Sequence, residues 1–416
     1  MSNKSTIWVD LTHLLNWEGR FTGIERLEYN VAKHLAKLPR VKFFSYNQSA
    51  RAFNELPAET LHIFADGYGG IKKSSAPRNV SLLNKILPMA KKIAPRKVRT
   101  FIKKNLMIND AASRLVVPHP FIAGDTVFVA ATFSDVGFLD NLIELKKNAG
   151  VKLTYLVHDI IPIVRPNYVK QWDTDHFSTY YSRLMPAADK ILAVSKSTKN
   201  DLLEFCESRR IVPPSIEVIH EGGDFNIVKN PVRPAELGKI KDFLLCVGTF
   251  EVRKNYTILY YAYKQAVREG IKLPPIVLVG RTGWLVNDIQ HIISKDPEVK
   301  DLILHFDSID DKGLAWVFKN CMFTVQPSFY EGWGLPVDES LHYGKLCLSS
   351  DASSLPEVGQ DFTEYFSPFD SRECMEKIAY FASHPSEVKK REEKIAKKYK
   401  PVSWQQSAQQ IYEKIS

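Results

Sequence analysis

The segment that decides the fold is Glu331-Gly-Trp-Gly-Leu-Pro-Val-Asp-Glu339, in which two carboxylates lie eight positions apart with two glycines and a proline between them. The apolar run 321–326 before it predicts a buried strand, and residues 338–343 predict a helix. A strand, a backbone-exposing turn and a helix N-terminus offer free N–H groups to an anion, while carboxylates accept hydrogen bonds from hydroxyl groups. A ligand that carries both phosphates and sugar hydroxyls fits this chemistry.

Short β-branched runs alternate with helical stretches along the whole chain, a pattern typical of parallel sheets with crossover helices. Most of these runs are nearly continuous in apolar residues, as expected for strands covered on both faces. The predicted strands of the first half are 6–11, 41–46, 126–131, 151–157, 190–194 and 216–219, and those of the second half are 243–247, 276–279, 302–306, 322–326 and 346–349. A polar stretch around 228–237, broken twice by proline, predicts the linker between the halves.

Length and composition fit an ordinary soluble protein of two or three domains, with 416 residues, 44% of them hydrophobic and 25% charged. The five cysteines are widely spaced and form no C-x-x-C pair, so we interpret them as buried apolar residues in a reducing compartment. No signal-peptide pattern and no apolar run of about 18 residues is present in the sequence. We therefore expect a cytoplasmic protein without a membrane span.

The net charge of +9 is concentrated in the segment 67–109, which has eleven Lys or Arg residues and no Asp or Glu. Apolar residues recur there at helical spacing, interrupted by Pro88 and Pro95. A basic amphipathic stretch at 72–104 suits an anionic membrane surface. A solvated basic insertion packed on the domain explains the pattern nearly as well. Nucleic acid is disfavoured, because few aromatic residues interleave with the cations.

A second motif, Cys246-Val-Gly-Thr-Phe-Glu-Val-Arg-Lys-Asn255, ends a predicted strand and leads into a helix predicted over 256–269. Gly248 opens the turn, and Arg253 and Lys254 stand at the start of the helix. Two cations beside a helix N-terminus form a strong site for a diphosphate. Taken alone, such a pair is more often solvated surface.

Two motifs of the first half also follow strands. His158 and Asp159 come directly after the strand predicted at 151–157, and ligands bind at the carboxyl ends of strands in open α/β sheets. The alternative for His158 is a structural role. Thr22-Gly-Ile-Glu-Arg26 begins a helix predicted over 24–38, and is neither G-x-G-x-x-G nor a P-loop. A dinucleotide oxidoreductase and a P-loop kinase are therefore disfavoured.

Together these motifs resemble those of retaining glycosyltransferases with the GT-B fold and the E-x7-E motif, the group 1 or family 4 enzymes. The similarity is greatest to bacterial surface-polysaccharide mannosyltransferases. It implies an α/β protein with two Rossmann-like domains facing a cleft. Residues 1–228 would form the acceptor-side domain with the basic insertion 67–109, residues 241–400 the donor domain, and residues 401–416 a helix that crosses back onto the first domain.

The resemblance also implies roles for single residues. Glu331 would accept hydrogen bonds from hydroxyls of the donor sugar, the amides around Gly334 and Leu335 would face sugar or phosphate, and Glu339 would bind the ribose of the nucleotide. The alternative for Glu339 is an acid in the first turn of its helix. The implied donor-binding residues are Gly23, Gly248, Arg253, Lys254, Glu331, Gly332, Gly334, Leu335 and Glu339. The implied catalytic residues are His158, Asp159, Arg253, Lys254 and Glu331.

The implied reaction is metal-independent transfer of a hexose from a nucleoside-diphosphate sugar, without a cofactor. GDP-mannose is the first candidate donor, and a glycan, lipid-linked at the inner face of the membrane in O-antigen-type synthesis, is the expected acceptor. Asp173-Thr-Asp175 has the form of a D-x-D metal motif, but it falls in a helical pattern and is interpreted as a solvated acidic face. Two alternatives remain open: a GT-B sugar-nucleotide epimerase, and a non-catalytic scaffold of a polysaccharide assembly complex.

Overall fold

The computed structural model describes residues 5–17, 21, 23–64, 118–131, 135–223, 228 and 230–416. The basic insertion 67–109 lies outside the described residues, and so does the membrane contact expected at 72–104. Within the described ranges no helix is both long and apolar enough to cross a bilayer.

The first half is built on a seven-stranded sheet with the order β3-β2-β1-β4-β5-β6-β7. Neighbouring strands are parallel except for the edge strand β3, which is antiparallel to β2. The strands are β1 Ile7–Asp10, β2 Val41–Asn47, β3 Ala52–Leu56, β4 Thr126–Val129, β5 Lys152–Val157, β6 Lys190–Ala193 and β7 Ser215–Val218. The helices are α1 Thr12–Asn16, α2 Gly23–Leu35, α3 Val136–Ala149, α4 Ile161–Val164, α5 Gln171–Ala187 and α6 Lys196–Arg209.

The strands of this sheet are buried on both faces because successive side chains point to opposite sides. In β4, Val127 and Val129 join one apolar cluster, whereas Phe128 between them joins the other. The nearly continuous apolar runs of the sequence therefore serve two cores at once.

The second half contains a six-stranded, wholly parallel sheet with the order β10-β9-β8-β11-β12-β13. Its strands are β8 Leu244–Val247, β9 Ile276–Val279, β10 Ile303–Phe306, β11 Thr324–Gln326, β12 Cys347–Ser350 and β13 Glu364–Phe366. The helices that follow are α7 Tyr256–Arg268, α8 Asn287–Lys295, α9 Asp311–Asn320, α10 Leu335–His342, α11 Leu355–Gly359, α12 Ser371–Ser383, α13 Pro385–Lys398 and α14 Trp404–Ile415.

The last helix, α14, returns to the first half. A capping box of Ser403 and Gln406 begins it, with the Ser403 hydroxyl accepting from the Gln406 N–H and the Gln406 side chain binding back to the Ser403 N–H. Its apolar face, including Trp404 and Ile411, lies in the same cluster as Leu27 of α2. The crossing-back helix implied by the resemblance is therefore present.

The predicted fold class is confirmed, and every strand predicted from the sequence is present. Two strands were missed, β3 and β13, and both lie at sheet edges where the burial pattern is weaker. The helix predicted from residue 338 begins three residues earlier at Leu335, because Pro336 fits the first turn of a helix. Glu339 is therefore not a first-turn acid. All five cysteines are buried and free, as interpreted from the sequence.

Candidate active site

Three predicted motifs lie at the carboxyl edges of the two sheets. His158 follows β5, Gly248 follows β8, and Glu331 follows β11 after a short loop. In parallel sheets the carboxyl ends of all strands share one edge, which is where ligands bind. The segment 330–334, called here the Glu331 turn, is where the two halves meet.

The Glu331 carboxylate lies between two cations. Its Oε2 is 2.5 Å from Nη1 of Arg253, and its Oε1 is 2.6 Å from Nζ of Lys254. Arg253 is also paired with Glu251, whose Oε1 is 2.5 Å from Nη2. Both cations predicted for the diphosphate site are thus brought to Glu331. Neither is a solvated surface group, since Lys254 is buried and the Arg253 side chain is only 17% exposed.

The charges of Arg253 and Lys254 keep the Glu331 carboxyl group deprotonated. Burial raises the pKa of Glu331, but the charges of Arg253 and Lys254 outweigh it, and the pKa falls from 4.5 to about 2. Burial likewise opposes the charge of Arg253, while Glu331 and Glu251 raise its pKa. Glu331 is therefore ionised at neutral pH and able to accept hydrogen bonds from hydroxyl groups.

Three serines hold the backbone and side chain of Glu331. The Ser328 hydroxyl donates to Glu331 Oε1 at 2.6 Å, and the Glu331 N–H donates to Ser353 Oγ at 2.8 Å. The Ser354 hydroxyl donates to the Glu331 carbonyl at 3.0 Å. Because the carboxylate is fixed at both its oxygens and its main chain, its position is set before any ligand arrives.

The His158 backbone lies against Gly332, whereas its imidazole ring contacts residues of its own half. Its Nε2 is 2.8 Å from the Ala130 carbonyl, and its Nδ1 is 3.7 Å from the buried carboxylate of Glu221. Burial alone would lower the pKa of His158, but Glu221 outweighs it and raises the pKa. Asp159 accepts from the Ile161 N–H at 3.0 Å and so shapes the turn after β5.

Gly332 brings the two halves into direct contact. A Cβ atom at this position would lie 2.3 Å from the His158 carbonyl oxygen, so only glycine fits. The Ser195 hydroxyl donates to the Gly332 carbonyl at 2.7 Å. The catalytic pair predicted in the first half and the acidic turn predicted in the second are therefore adjacent.

A second contact between the halves joins the start of α2 to α10, through Arg26 with Glu339 and through Gly23 with Leu335. Glu339, in α10, is buried and lies 3.0 Å from Arg26 of α2. Burial raises the pKa of Glu339 although the Arg26 charge opposes it. Gly23 begins α2, and a Cβ atom there would lie 2.7 Å from the Leu335 side chain at the start of α10. The N-termini of these two helices therefore face each other.

The remaining predicted glycines shape the turns of the second half. Gly334 precedes α10 with φ 120°, a backbone conformation that favours glycine. Gly248 follows β8, and its carbonyl accepts from the Tyr256 hydroxyl at 2.9 Å. A Cβ atom at Gly248 would lie 3.2 Å from Lys254, so this turn and the cation are in contact.

Sequence reasoning missed several groups of this site. Glu251 and Arg26 stand inside motifs that were quoted, but their ionic partners cannot be inferred from local pattern. Glu221 and Ser195 are far along the chain from the residues that they contact. Asp173 and Asp175 lie in α5, as the helical pattern predicted. In the part of the chain that the structure describes, no group of three or more His, Cys, Asp or Glu side chains is arranged to hold a metal ion.

Comparison with known proteins agrees with this architecture. Residues 232–400 match the model of the family described as Glycosyl transferases group 1. The chain is 26% identical over 283 residues to the serotype-specific mannosyltransferase WbdA of Escherichia coli, covering 64% of the chain and 34% of that protein. It is 26% identical over 214 residues to O-antigen chain mannosyltransferase B of Escherichia coli, covering 49% of the chain and 54% of that protein. The chain thus spans about a third of the length of WbdA.

Solved structures resemble the chain over nearly its whole length. Anabaena Alr3699/HepE, solved with UDP and glucose, superposes with a TM-score of 0.63 at 14% identity and covers 99% of both chains. Sucrose-phosphate synthase from Thermosynechococcus elongatus gives a TM-score of 0.61 at 15% identity, covering 99% of this chain and 98% of that one. At these identities the likeness shows the fold alone, which is GT-B. The chain has the GT-B fold, and residues 232–400 in its second half are similar in sequence to the group 1 glycosyl transferases.

Proposed function

We propose that this chain is a retaining, metal-independent glycosyltransferase that moves a hexose from a nucleoside-diphosphate sugar to a glycan hydroxyl. The observation that supports this best is the placement of Arg253 and Lys254 on either side of the ionised Glu331, in contact with the His158 turn of the other half. Cations for a leaving diphosphate and a carboxylate for sugar hydroxyls are thereby held in direct contact with each other.

The cations retain capacity for a diphosphate. Lys254 has three N–H donors and Arg253 has five, so donors remain for phosphate oxygens after Glu331, Glu251 and the Tyr330 carbonyl have been bound. Preorganised cations of this kind stabilise the charge that grows on a leaving phosphate, and loss of one donor typically costs about 3–4 kcal/mol of barrier.

In the proposed reaction the bond between the anomeric carbon and the diphosphate oxygen breaks, and the acceptor oxygen bonds to the same face of that carbon. The acceptor proton passes to the leaving phosphate oxygen, so no protein nucleophile is required. His158 and the Glu331 turn close the two halves around the donor, which limits its hydrolysis by water.

We further propose mannose as the sugar, GDP-mannose as the first candidate donor, and a glycan on a lipid carrier as the acceptor. The support is the naming of the relatives as mannosyltransferases, two of them serotype-specific or O-antigen enzymes. In this proposal the protein works at the cytoplasmic face of the membrane, with residues 72–104 contacting anionic lipid. Vesicle co-sedimentation tests the lipid contact, and undiminished binding after deletion of 72–104 would exclude it.

The function is tested by a thermal-shift screen against GDP-mannose, UDP-glucose, UDP-N-acetylglucosamine and the free diphosphates. A ligand at 100 times its Kd stabilises the folded protein by about 2.7 kcal/mol, which is readily measured. Nuclear magnetic resonance of the product made with the best donor and manno-oligosaccharides then shows whether the anomeric configuration is retained. If no ligand raises the melting temperature, the scaffold alternative is favoured. If the sugar nucleotide is converted to an epimer when no acceptor is present, the epimerase is favoured.

A further inference from the structure

Helix α6 of the first half is docked on the Glu331 turn of the second. The Thr198 hydroxyl is 3.1 Å from the His158 carbonyl oxygen and 3.3 Å from that of Gly332. In the second turn of the same helix, Asp201 accepts a hydrogen bond from the Tyr330 hydroxyl at 2.7 Å. One helix therefore contacts the residues on both sides of Glu331.

The N-terminus of α6 makes two further contacts with the second half. Ser195 caps the helix by accepting from the Thr198 N–H at 3.0 Å, and its hydroxyl donates to the Gly332 carbonyl. The Lys196 N–H donates to both carboxylate oxygens of Glu357 in α11, at 2.9 and 3.0 Å. A carboxylate at a helix N-terminus is favoured by the helix dipole.

Four of the residues in this contact are buried, whereas the Lys196–Glu357 contact is exposed. Ser195 and Thr198 are 0% and 1% exposed, and Asp201 and Tyr330 are 7% and 9% exposed. Buried hydroxyls and carboxylates must be paired, because an unpaired one costs more than the hydrogen bond itself. The contact therefore specifies one alignment of the two halves rather than a range of them.

We infer that Thr198, Asp201 and Tyr330 are positioning residues, which hold the Glu331 turn against His158 in the arrangement needed for transfer. The inference rests on the proposed function. None of the three is assigned to the sugar or the diphosphate. Thr198 acts through Gly332, which it contacts, and Asp201 acts through Tyr330, which precedes Glu331 in the turn. Misplacement of a catalytic group by about 1 Å costs on the order of 100-fold in rate, so alignment alone has a large effect.

The kinetic test compares Thr198→Val with Thr198→Ser. Valine has nearly the same shape but no hydroxyl, whereas serine keeps the hydroxyl. We expect Thr198→Val to lower kcat about tenfold, with the Kd for nucleoside diphosphate changed less than about twofold, and Thr198→Ser to restore most of the rate. Thr179→Val is the control, because its hydroxyl is exposed on α5 and bonds only within that helix, to the Asp175 carbonyl.

Tyr330→Phe supplies a second variant, since it removes only the hydroxyl that binds Asp201. Small-angle X-ray scattering of each variant without ligand gives a readout that does not depend on activity. We expect Thr198→Val and Tyr330→Phe to increase the radius of gyration, because fewer contacts hold the halves together, while Thr198→Ser and Thr179→Val match the wild type.

The outcomes separate the two proposals. If the wild type binds no nucleotide but Thr198→Val and Tyr330→Phe still open the molecule, the positioning contact stands and the proposed function fails. If nucleotide binds and both variants keep wild-type kcat and scattering, the inference is overturned. A loss of rate in Thr198→Val that serine does not restore would equally contradict it, since the hydroxyl would then not be the cause.

Discussion

Replacing Glu331 with glutamine removes the charge from between Arg253 and Lys254 and keeps the size of the side chain. Both cations lie within 2.6 Å of the carboxylate, in a buried environment. Removing one partner of a buried ion pair costs about 3–5 kcal/mol, because the remaining charge is left uncompensated. We expect the free energy of unfolding at pH 7 to fall by about 3 kcal/mol, near the lower end of that range.

The pKa of Glu331 gives a similar value for the stability that its ion pairs contribute. Its fall from 4.5 to about 2 corresponds to about 3 kcal/mol of stability, at 1.36 kcal/mol per unit. Because the pKa of the folded state is the lower one, this stability is present above pH 4.5 and is lost as the pH falls towards 2. The difference between Glu331→Gln and the wild type should therefore be largest at neutral pH and narrow below pH 4.5.

Urea unfolding followed by circular dichroism, at pH 7 and at pH 4, measures both effects. Glu364→Gln is the matched control, because Glu364 is also 2.5 Å from an arginine, Arg391, but that pair is more exposed. The control should lose less than about 1 kcal/mol. Equal losses of unfolding free energy in the two variants, or no loss in Glu331→Gln, would refute the view that burial strengthens the ion pairs of Glu331 with Arg253 and Lys254.

Three further outcomes are expected. Glu221→Gln should lower the pKa of His158 in a nuclear magnetic resonance titration. Because that pKa is raised in the folded wild type, the His158–Glu221 pair stabilises the fold below pH 6.5, and the variant should lose this stability. An unchanged titration of His158 would contradict the pairing. Gly332→Ala should reduce transfer about 100-fold while nucleotide binding persists, because its Cβ cannot fit against His158; wild-type turnover would exclude that contact. Arg26→Met should destabilise the fold by about 2 kcal/mol in urea unfolding, because the buried Glu339 carboxylate loses its hydrogen-bond partner; a neutral effect would argue against that pair.

Much of the fold was predictable because its strands are buried on both faces and therefore occur as nearly continuous apolar runs in the sequence. The edge strands β3 and β13 were missed for the converse reason: Ala52–Leu56 and Glu364–Phe366 have few buried side chains. The start of α10 was misplaced because the apolar pattern begins after Pro336, whereas the helix begins before it.

The motifs of the site were predictable, but their mutual contacts were not. His158, Gly248 and Glu331 lie beyond the carboxyl ends of strands, as the sequence pattern predicted, and their role in ligand binding stays a prediction. The Arg26–Glu339 pair joins residues 313 positions apart, and the docking of Thr198 on Gly332 spans 134. Such contacts depend on how the two sheets and their helices pack against each other, which no local sequence pattern records.

The central claim is that Arg253 and Lys254 bind the diphosphate of a nucleotide sugar. Isothermal titration of the nucleoside diphosphate found in the screen, into the wild type and into Lys254→Ala, tests it most directly. Lys264→Ala is the control, because that lysine is paired with Asp296, away from Glu331. We predict that Lys254→Ala weakens binding about 100-fold or more while Lys264→Ala leaves it unchanged. Equal affinity in all three proteins would contradict the account.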